Sequence, residues 1–501
     1  MKIEDIATFC KAKGFVYPAA EIYGGLSGFF DFGPLGVALK NNIKESWWKF
    51  YVDSREGVVG QDGAIITNPR VWEASGHVDN FSDPLLTCSK CKHKVRADTF
   101  IEEELKINAD GITADQINHY VEKHGLVCPL CKGEFQKVED FKLMFSTQVG
   151  PSAEKSAQAF LRPETAQSIF PNFRLIADTC RMQLPFGIAQ IGKAFRNEIS
   201  PRDFLFRCRE FEQCELEFFI HPEQTECELL TDELKKISLS VWTSEQQEQG
   251  EKESTLSIGD LIDMKKIDEW HAYWIAQTYL WLTKEIGLKQ ENLRLREHVP
   301  SELSHYSSAT FDFDYRFPHG FKELHGCANR GQYDLTQHQK VSGKKLAIHD
   351  ETTGQKVIPR VIEPSQGVDR LFLAILVDAY NDDEERGNIV LKIKPALAPI
   401  KVGVFPLVKK DCLYEKAREI FSTLKEDVVC QFDSSGSIGR RYARADELGI
   451  PFCITVDYES KEDGCVTIRD RDSTEQKRVK IENLSETVQK LINGKTSFIN
   501  L

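Results

Sequence analysis

QIGKAFRNEISPRDFLFRCREFEQCELEFFI, residues 190–220, is the stretch from which the rest of the chain can be placed. Two alternating runs flank a polar loop holding Ser200, Pro201, Arg202 and Asp203, which predicts a β-hairpin with a long loop. In the second run Arg207, Arg209, Phe211, Gln213, Glu215 and Glu217 recur at every second position, so they are expected on one face of the sheet. Arg196 and Glu198 share a face of the first run in the same way. Arginines, an aromatic ring and then acids along one line suit a polyanion at one end and a cationic amine at the other. The plain alternative is an antiparallel ribbon whose charged side faces water.

Within this region GIAQIGKA, residues 187–194, differs by one residue from a phosphate-binding GxxxxGK[ST] loop. Ala194 stands where a hydroxyl is required, and the segment alternates as a strand instead of opening a helix, so the phosphate-loop reading fails. No GxGxxG fingerprint follows a strand either. Upstream, LRPETAQSIF (161–170) places Arg162, Glu164 and Thr165 where an apolar segment is expected to become a helix after Pro163. Downstream, residues 223–299 read as acidic and helical, with WHAYWIAQTYLWLTKEIG (270–287) the best helix and its aromatic stripe core. SATFDFDYRF (308–317) alternates as a strand, and FKELHGCANRGQYDL (321–335) supplies Glu323, Arg330 and a structural His325 near glycine turns. EPSQGVDR (363–370) is a strand entering a helix, with Gly367 where backbone is expected to approach something closely and Arg370 one turn in.

Toward the N-terminus, residues 24–52 combine a glycine- and proline-rich opening with a helix carrying Val37, Leu39, Ile43, Trp47 and Phe50 at near-helical spacing. Spacing alone favours burial in the monomer core. AIITNP (64–69) follows as a short strand. Cys88-x-x-Cys91 and Cys128-x-x-Cys131 each present two thiolates from a tight turn, and together they complete a tetrahedral Cys₄ site for structural Zn²⁺. Residues 113–125 read as a capped helix inside this insert.

The 501 residues suffice for two or three domains. No apolar run approaches a membrane span of ~20 residues, and the opening is too mixed in charge for a signal peptide, so a cytoplasmic protein without a membrane partner is expected. There the fourteen cysteines stay reduced. A net charge of −13 argues against nonspecific nucleic-acid coating. After an alanine- and proline-rich linker at 394–399, a β-α-β-α-β-β pattern predicts a separate α/β domain. From Lys401 onward 17 basic residues balance 17 acidic ones, so the acidic excess lies in the first 400 residues.

GFFDFGPLG with its helix, FRNEISPR…FRCREFEQCELE and EPSQGVDR resemble the three ordered motifs of class II aminoacyl-tRNA synthetases, in the versions found in homodimeric glycyl-tRNA synthetases. RPETAQ, HYSSATFDFDYRF and NRGQYDL fit the same family, and the likeness spans essentially the whole chain. The resemblance implies an α+β catalytic domain, an antiparallel sheet with flanking helices, over 1–394, and a C-terminal α/β anticodon-binding domain over 395–501. The zinc-knuckle insert falls at about 85–140 and the helical insert at about 223–300. It moves the helix after Pro34 from monomer core to a homodimer interface. It implies glycine, ATP with Mg²⁺ and tRNA(Gly) as partners.

Under that resemblance Arg196, Arg207 and Arg370 are catalytic. ATP would be held by these three with Asn197, Glu198, Phe206, Phe211, Glu323, Leu324 and Gly367, the adenine lying between Phe211 and Arg370. Glycine would meet Arg96, Glu164, Phe211, Gln213, Glu215, Arg330, Glu363, Ser365 and Gly367. No editing domain is needed, because no smaller amino acid competes. Arg440, Arg441 and Arg469 would contact tRNA, within a basic set that also includes Arg444 and Arg471. A noncatalytic tRNA- or partner-binding paralogue is the rival reading, although it has no need of the phosphate-binding arginines and the pocket acids. A class II enzyme for threonine, proline or histidine is another, and its pocket needs a metal, an apolar wall or a ring-binding group.

Overall fold

The computed structural model describes residues 2–107, 109, 112–151, 158–304, 307–351 and 353–501. His305 and Tyr306, which open the HYSSATFDFDYRF segment, lie outside the described residues.

The hairpin forms as expected. Strands β1 (Val58–Gly60), β2 (Phe186–Phe195) and β3 (Glu210–Ile220) are joined, β1 parallel and β3 antiparallel to β2. The strand β2 occupies the GIAQIGKA segment, consistent with rejecting a phosphate loop there. β3 begins at Glu210, so Arg207 and Arg209 lie before the strand, not on its face. Its charged side is buried: Glu215 is 2% and Glu217 0% exposed, which removes the reading of a solvated ribbon.

Residues 223–299 are not simply helical. They contribute β4 (Ser238–Trp242), β5 (Ser254–Ser257) and β6 (Leu293–Glu297), besides helix Glu269–Leu280. These strands are short and surrounded by helix-favouring acids, so pairing with distant strands, not local pattern, sets their state. With β7 (Ala309–Phe317), β8 (Gly320–Gly331) and β9 (Arg360–Gly367) they complete a nine-stranded, mainly antiparallel sheet ordered β5-β4-β6-β7-β8-β9-β3-β2-β1.

One face of the sheet is covered by helices α1 (Pro34–Trp48), α2 (Glu269–Leu280) and α3 (Val368–Ala379). Gly33 caps α1 and Pro34 opens it, where a missing N–H costs nothing. Leu39, Ile43 and Trp47 recur every four residues and are fully buried in their own chain's core, while Val37 is exposed. On the other face a cluster including Phe170, Phe173, Phe186 and Phe219 seals one end. The helix expected directly after Pro163 is instead two single turns, Ala166–Ser168 and Phe170–Asn172, before helix Phe173–Cys180. Pro171 supplies no backbone N–H to continue a helix through that point.

Beyond residue 400 a five-stranded sheet follows with its own core. It comprises β10 (Val402–Pro406), β11 (Cys430–Phe432), β12 (Phe452–Val456), β13 (Cys465–Asp470) and β14 (Gln476–Lys480). The last strand and the closing helix Leu484–Ile492 lie beyond the expected pattern. QKRVK is a charged edge strand, which avoids sticky pairing and also hides the strand's pattern. The helix within the cysteine insert, Ala114–Lys123, is capped by Thr113 and Gln116 as expected.

Candidate active site

Directly paired residues in neighbouring antiparallel strands point to one face. Gln190, Glu215, Ser365, Gly326 and Asp312 therefore form one row across β2, β3, β9, β8 and β7. Above it lies a cavity of about 320 Å³, the size of a small-molecule site.

At its cationic end stand Arg196, Arg207 and Arg370, with Glu198 among them. The Arg196 guanidinium lies between the Phe81 and Phe211 rings, 5.5 and 5.3 Å from their centroids, and its Nε donates to the Pro163 carbonyl at 3.1 Å. Arg207 stands 3.8 Å from Glu198. Burial holds the Arg207 guanidinium below its ordinary pKa against the pull of Glu198, and the neighbouring cations Arg96 and Arg370 add to the lowering. Crowded cations of this kind are relieved by an anion. Arg370 stacks on Phe206 at 4.5 Å and pairs with Glu323 at 3.0 Å, and it holds the Glu323 carboxyl down to about 2. Leu324 and Gly367 line the same end. A Cβ on Gly367 would meet only Arg370, at an ordinary 3.9 Å, so no protein atom crowds this glycine. Its openness is toward the cavity.

The opposite end is acidic. Glu215 accepts from the Thr165 and Ala166 N–H groups at 3.0 and 2.7 Å, from the Thr165 hydroxyl, from Ser365 at 3.0 Å and from Gln213 at 2.9 Å. Burial and Glu164 raise its pKa, against those donors. Glu164 sits 3.4 Å from His77. Burial works to raise Glu164, but His77, Arg330 and Arg196 outweigh it and hold the carboxyl below its ordinary range. Glu363 accepts from Arg330 at 2.9 Å; burial pushes it up to about 8 despite Arg330, with Glu215 and Glu164 adding to the rise. Glu217, deeper in the face, has no hydrogen-bond partner for either oxygen among the described residues, and burial raises it well above its ordinary value. Three acids thus face the cavity with one buried arginine behind them, leaving room for a ligand's positive charge.

Three of the expected ligand residues do not line the cavity. Arg96 is held by Asp83 at 3.2 Å and Asp98 at 2.7 Å. Asn197 closes the chain through its N–H to the Leu143 carbonyl at 2.7 Å. Arg330, 1% exposed, forks onto Asp334 and Glu363, so it balances charge from behind. Arg209 likewise clamps the hairpin loop through the Glu198 and Ser27 carbonyls.

Several contributors had no assigned role in the sequence. His77 faces Glu164, and Thr165 anchors Glu215. His298 and Asp312 also line the cavity, joined to each other at 2.6 Å. Asp312 and Asp314 were visible as acids at every second position of a strand rich in phenylalanine, a pattern that already marks a buried polar face.

The four insert cysteines converge. Every pair of their sulfurs lies within 4.8 Å, with Cys88–Cys131 at 3.5 Å and Cys91–Cys128 at 3.6 Å. A tetrahedral ion with Zn–S near ~2.3 Å needs sulfurs roughly 3.8 Å apart, so the donors fit zinc.

In the C-terminal sheet the expected tRNA contacts separate. Arg440 is exposed. Arg441 is 2% exposed and donates to the Pro406 and Leu407 carbonyls, and Arg469 forks onto Asp446 at 2.8 and 3.0 Å. Both correct the expectation, because these buried guanidiniums are already engaged by the protein's own carbonyls and carboxylate. Arg471 donates to Gly449 and Asp472 in the same way, while Arg444, although exposed, pairs with Asp433.

A family model described as the tRNA synthetase class II core domain (G, H, P, S and T) matches residues 145–380, and one described as an anticodon binding domain matches residues 401–491. The chain is 47% identical to a glycine–tRNA ligase of Caldanaerobacter subterraneus subsp. tengcongensis, over 97% of this chain and 98% of that one. It is 46% identical to one of Alkaliphilus oremlandii, over 96% and 97%. A third, from Clostridium kluyveri, is 45% identical over 98% of each chain.

Proposed function

Because this chain belongs to the glycine–tRNA ligases of the class II synthetase fold, we propose that its cavity makes glycyl-adenylate between the arginine end and the acid end. The enzyme joins glycine to tRNA at the expense of ATP. The glycine carboxylate oxygen bonds to the α-phosphorus, the bond to the bridging oxygen breaks, and pyrophosphate leaves with its electron pair. Little covalent help is required, so positioning and charge stabilisation supply most of the acceleration. Arg196 holds the α-phosphate and Arg207 the outer phosphates, because a planar guanidinium meets phosphate through paired hydrogen bonds. Phe211 and Arg370 enclose the adenine, and Glu198 accepts from its amino group.

The single observation that supports glycine most directly is the buried set of Glu164, Glu215 and Glu363 with Ser365 at one end of the cavity. Their carboxylates receive the ammonium. Magnesium, when bound with ATP, would neutralise phosphate charge, and Glu323 is the acid placed to meet it. Cys88, Cys91, Cys128 and Cys131 would hold zinc as a structural clasp between the two turns. We assign residues 1–394 to catalysis and 395–501 to the anticodon, with Arg440 as an RNA contact. Exposed Ile22, Tyr23 and Leu26, just ahead of α1, support a homodimer, since pairing would cover them. The cytoplasm, where thiols stay reduced, suits this chemistry. Among the described residues no helix is long and apolar enough to cross a membrane.

The test is ATP–pyrophosphate exchange with each of the twenty amino acids. Glycine alone should support it, and exchange with another amino acid, or with none, would overturn the reading.

A further inference from the structure

Helix Ile438–Glu447 carries the exposed Arg440 in its first turn, and Asp446 and Glu447 close it. Acids at a helix C-terminus oppose the helix dipole and call for cations. Two of those cations come from the far side of the connecting segment 394–399. Lys13, the last residue of helix Ile3–Lys13, meets Glu447 at 2.5 Å. Arg386 stands in the turn between strands Tyr380–Asp383 and Asn388–Leu391, and its Nη1 lies 3.4 Å from Asp446 Oδ2.

The Arg386 guanidinium also holds backbone. Nη1 donates to the Arg471 carbonyl at 2.8 Å and Nη2 to the Asp472 carbonyl at 2.9 Å, just beyond β13. Asp383 aims it, pairing with Nε at 3.2 Å and accepting from the Arg386 N–H at 3.1 Å. Gly449, just past the helix end, lies so close to the same hairpin that a Cβ would stand 3.2 Å from the Leu391 carbonyl oxygen, and its φ of +75° also favours glycine. The connecting segment is pinned separately, by Asn42 of α1 donating to the Leu397 and Ala398 carbonyls at 2.9 and 3.1 Å. Bonds at the connector alone would leave the C-terminal sheet free to swivel. The bonds at the helix end remove that freedom.

Asp446, 2% exposed, already has a partner on its own side of the connector: Arg469 forks onto it at 2.8 and 3.0 Å. One guanidinium is enough to satisfy a carboxylate, so Arg386 adds a connection and not a requirement for folding. Between Arg440 and Asp446 the helix runs six residues, roughly 9 Å, with no glycine or proline to bend it. We propose that this helix is a strut. The catalytic domain clamps its end through Arg386 and thereby sets where Arg440 meets the tRNA whose 3′ end lies in the cavity. This rests on the reading of Arg440 as an RNA contact given under Proposed function. Arg386 is a positioning residue that acts through the helix.

The experiment measures both half-reactions in Arg386→Met. Glycine-dependent pyrophosphate exchange should stay within about twofold of the unaltered enzyme, because the clamp shares no partner with the cavity. The melting temperature of the C-terminal domain should not change, since Asp446 keeps Arg469. The KM for tRNA should rise by about 10-fold with kcat within about threefold, because a contact no longer held in place acts at a lower effective concentration. Adding Arg440→Ala should raise KM little further, as two changes to one coupled contact do not multiply. An unchanged KM for tRNA, a lowered melting temperature, exchange falling in step with glycylation, or the two penalties multiplying in full would each overturn the proposal. Should Arg386→Met fail to fold, Lys13→Met, which frees Glu447 at the same helix end, carries the comparison with a smaller rise in KM expected. Arg440→Ala leaving the KM for tRNA unchanged would remove the underlying assignment and the strut with it, and that is read before Arg386 is altered.

Discussion

Lys40 Nζ lies 3.1 Å from Asp369 Oδ1, both side chains buried, joining α1 to the first turn of α3 across 329 residues. The other oxygen of Asp369 takes the Glu212 N–H at 2.7 Å, and Lys40 also meets the Glu212 carboxylate at 3.2 Å. Burial would lower the lysine's pKa, but Asp369 and Glu212 outweigh it and raise it. One buried network thus links three segments distant in sequence: the helix after Pro34, the hairpin and the helix bearing Arg370.

Removing one member of a buried pair leaves a charge stranded, at a cost of ~3–5 kcal/mol. Lys40→Met is expected to destabilise the large domain on that scale, read as a shift of its denaturant midpoint. Adding Asp369→Asn should recover part of the loss. A shift below ~1 kcal/mol would mean that water or another cation replaces Lys40.

Arg196→Ala should slow adenylate formation by ~10²-fold or more, the scale of losing one transition-state donor. Near-normal glycine-dependent exchange in the folded variant would contradict its role at the α-phosphate.

Glycine binding should tighten as pH rises from 6.5 toward 8. Glu363, pushed up to about 8, is neutral below that value and anionic above it, and an ammonium is held by the anion. Calorimetric titration with glycine should therefore show affinity increasing through this window, with Glu363→Gln weak and flat. Affinity that falls over the same range would show that Glu363 is already ionised or is not a glycine contact.

One zinc per chain is expected by elemental analysis. Its removal with a chelator should loosen the insert, seen as protease cleavage near residues 88–131, while the nine-stranded sheet stays folded because its core is separate. Unchanged proteolysis after complete chelation would rule out a structural clasp.

Adjacent arginines should behave differently. Arg440→Ala is expected to raise the KM for tRNA without changing pyrophosphate exchange, since it is exposed. Arg441→Ala should instead lower the melting temperature of the C-terminal domain, because two carbonyls lose their buried donor. Equal effects on tRNA KM with no loss of stability would reverse this assignment.

Much of this was legible one segment at a time. Period-two alternation identified the hairpin, the spacing of two CxxC pairs identified the sulfur cluster, and residues 113–125 read as a capped helix. Each depends on residues that are neighbours in the chain, so the sequence determines it directly. The strands between residues 238 and 297 were not legible, because their partners are supplied by β7 and by one another across intervening helices. Nor could spacing tell Arg440 from Arg441, or Arg207 from Arg209. An arginine is a ligand contact or a structural clamp according to which carbonyls and carboxylates surround it. That is decided by burial and by contacts between distant strands and loops. The hairpin's line of arginines and acids was written in residues 190–220. Its meaning as two ends of one enclosed site came only when Thr165, Arg330, Glu363 and Arg370 were folded against it.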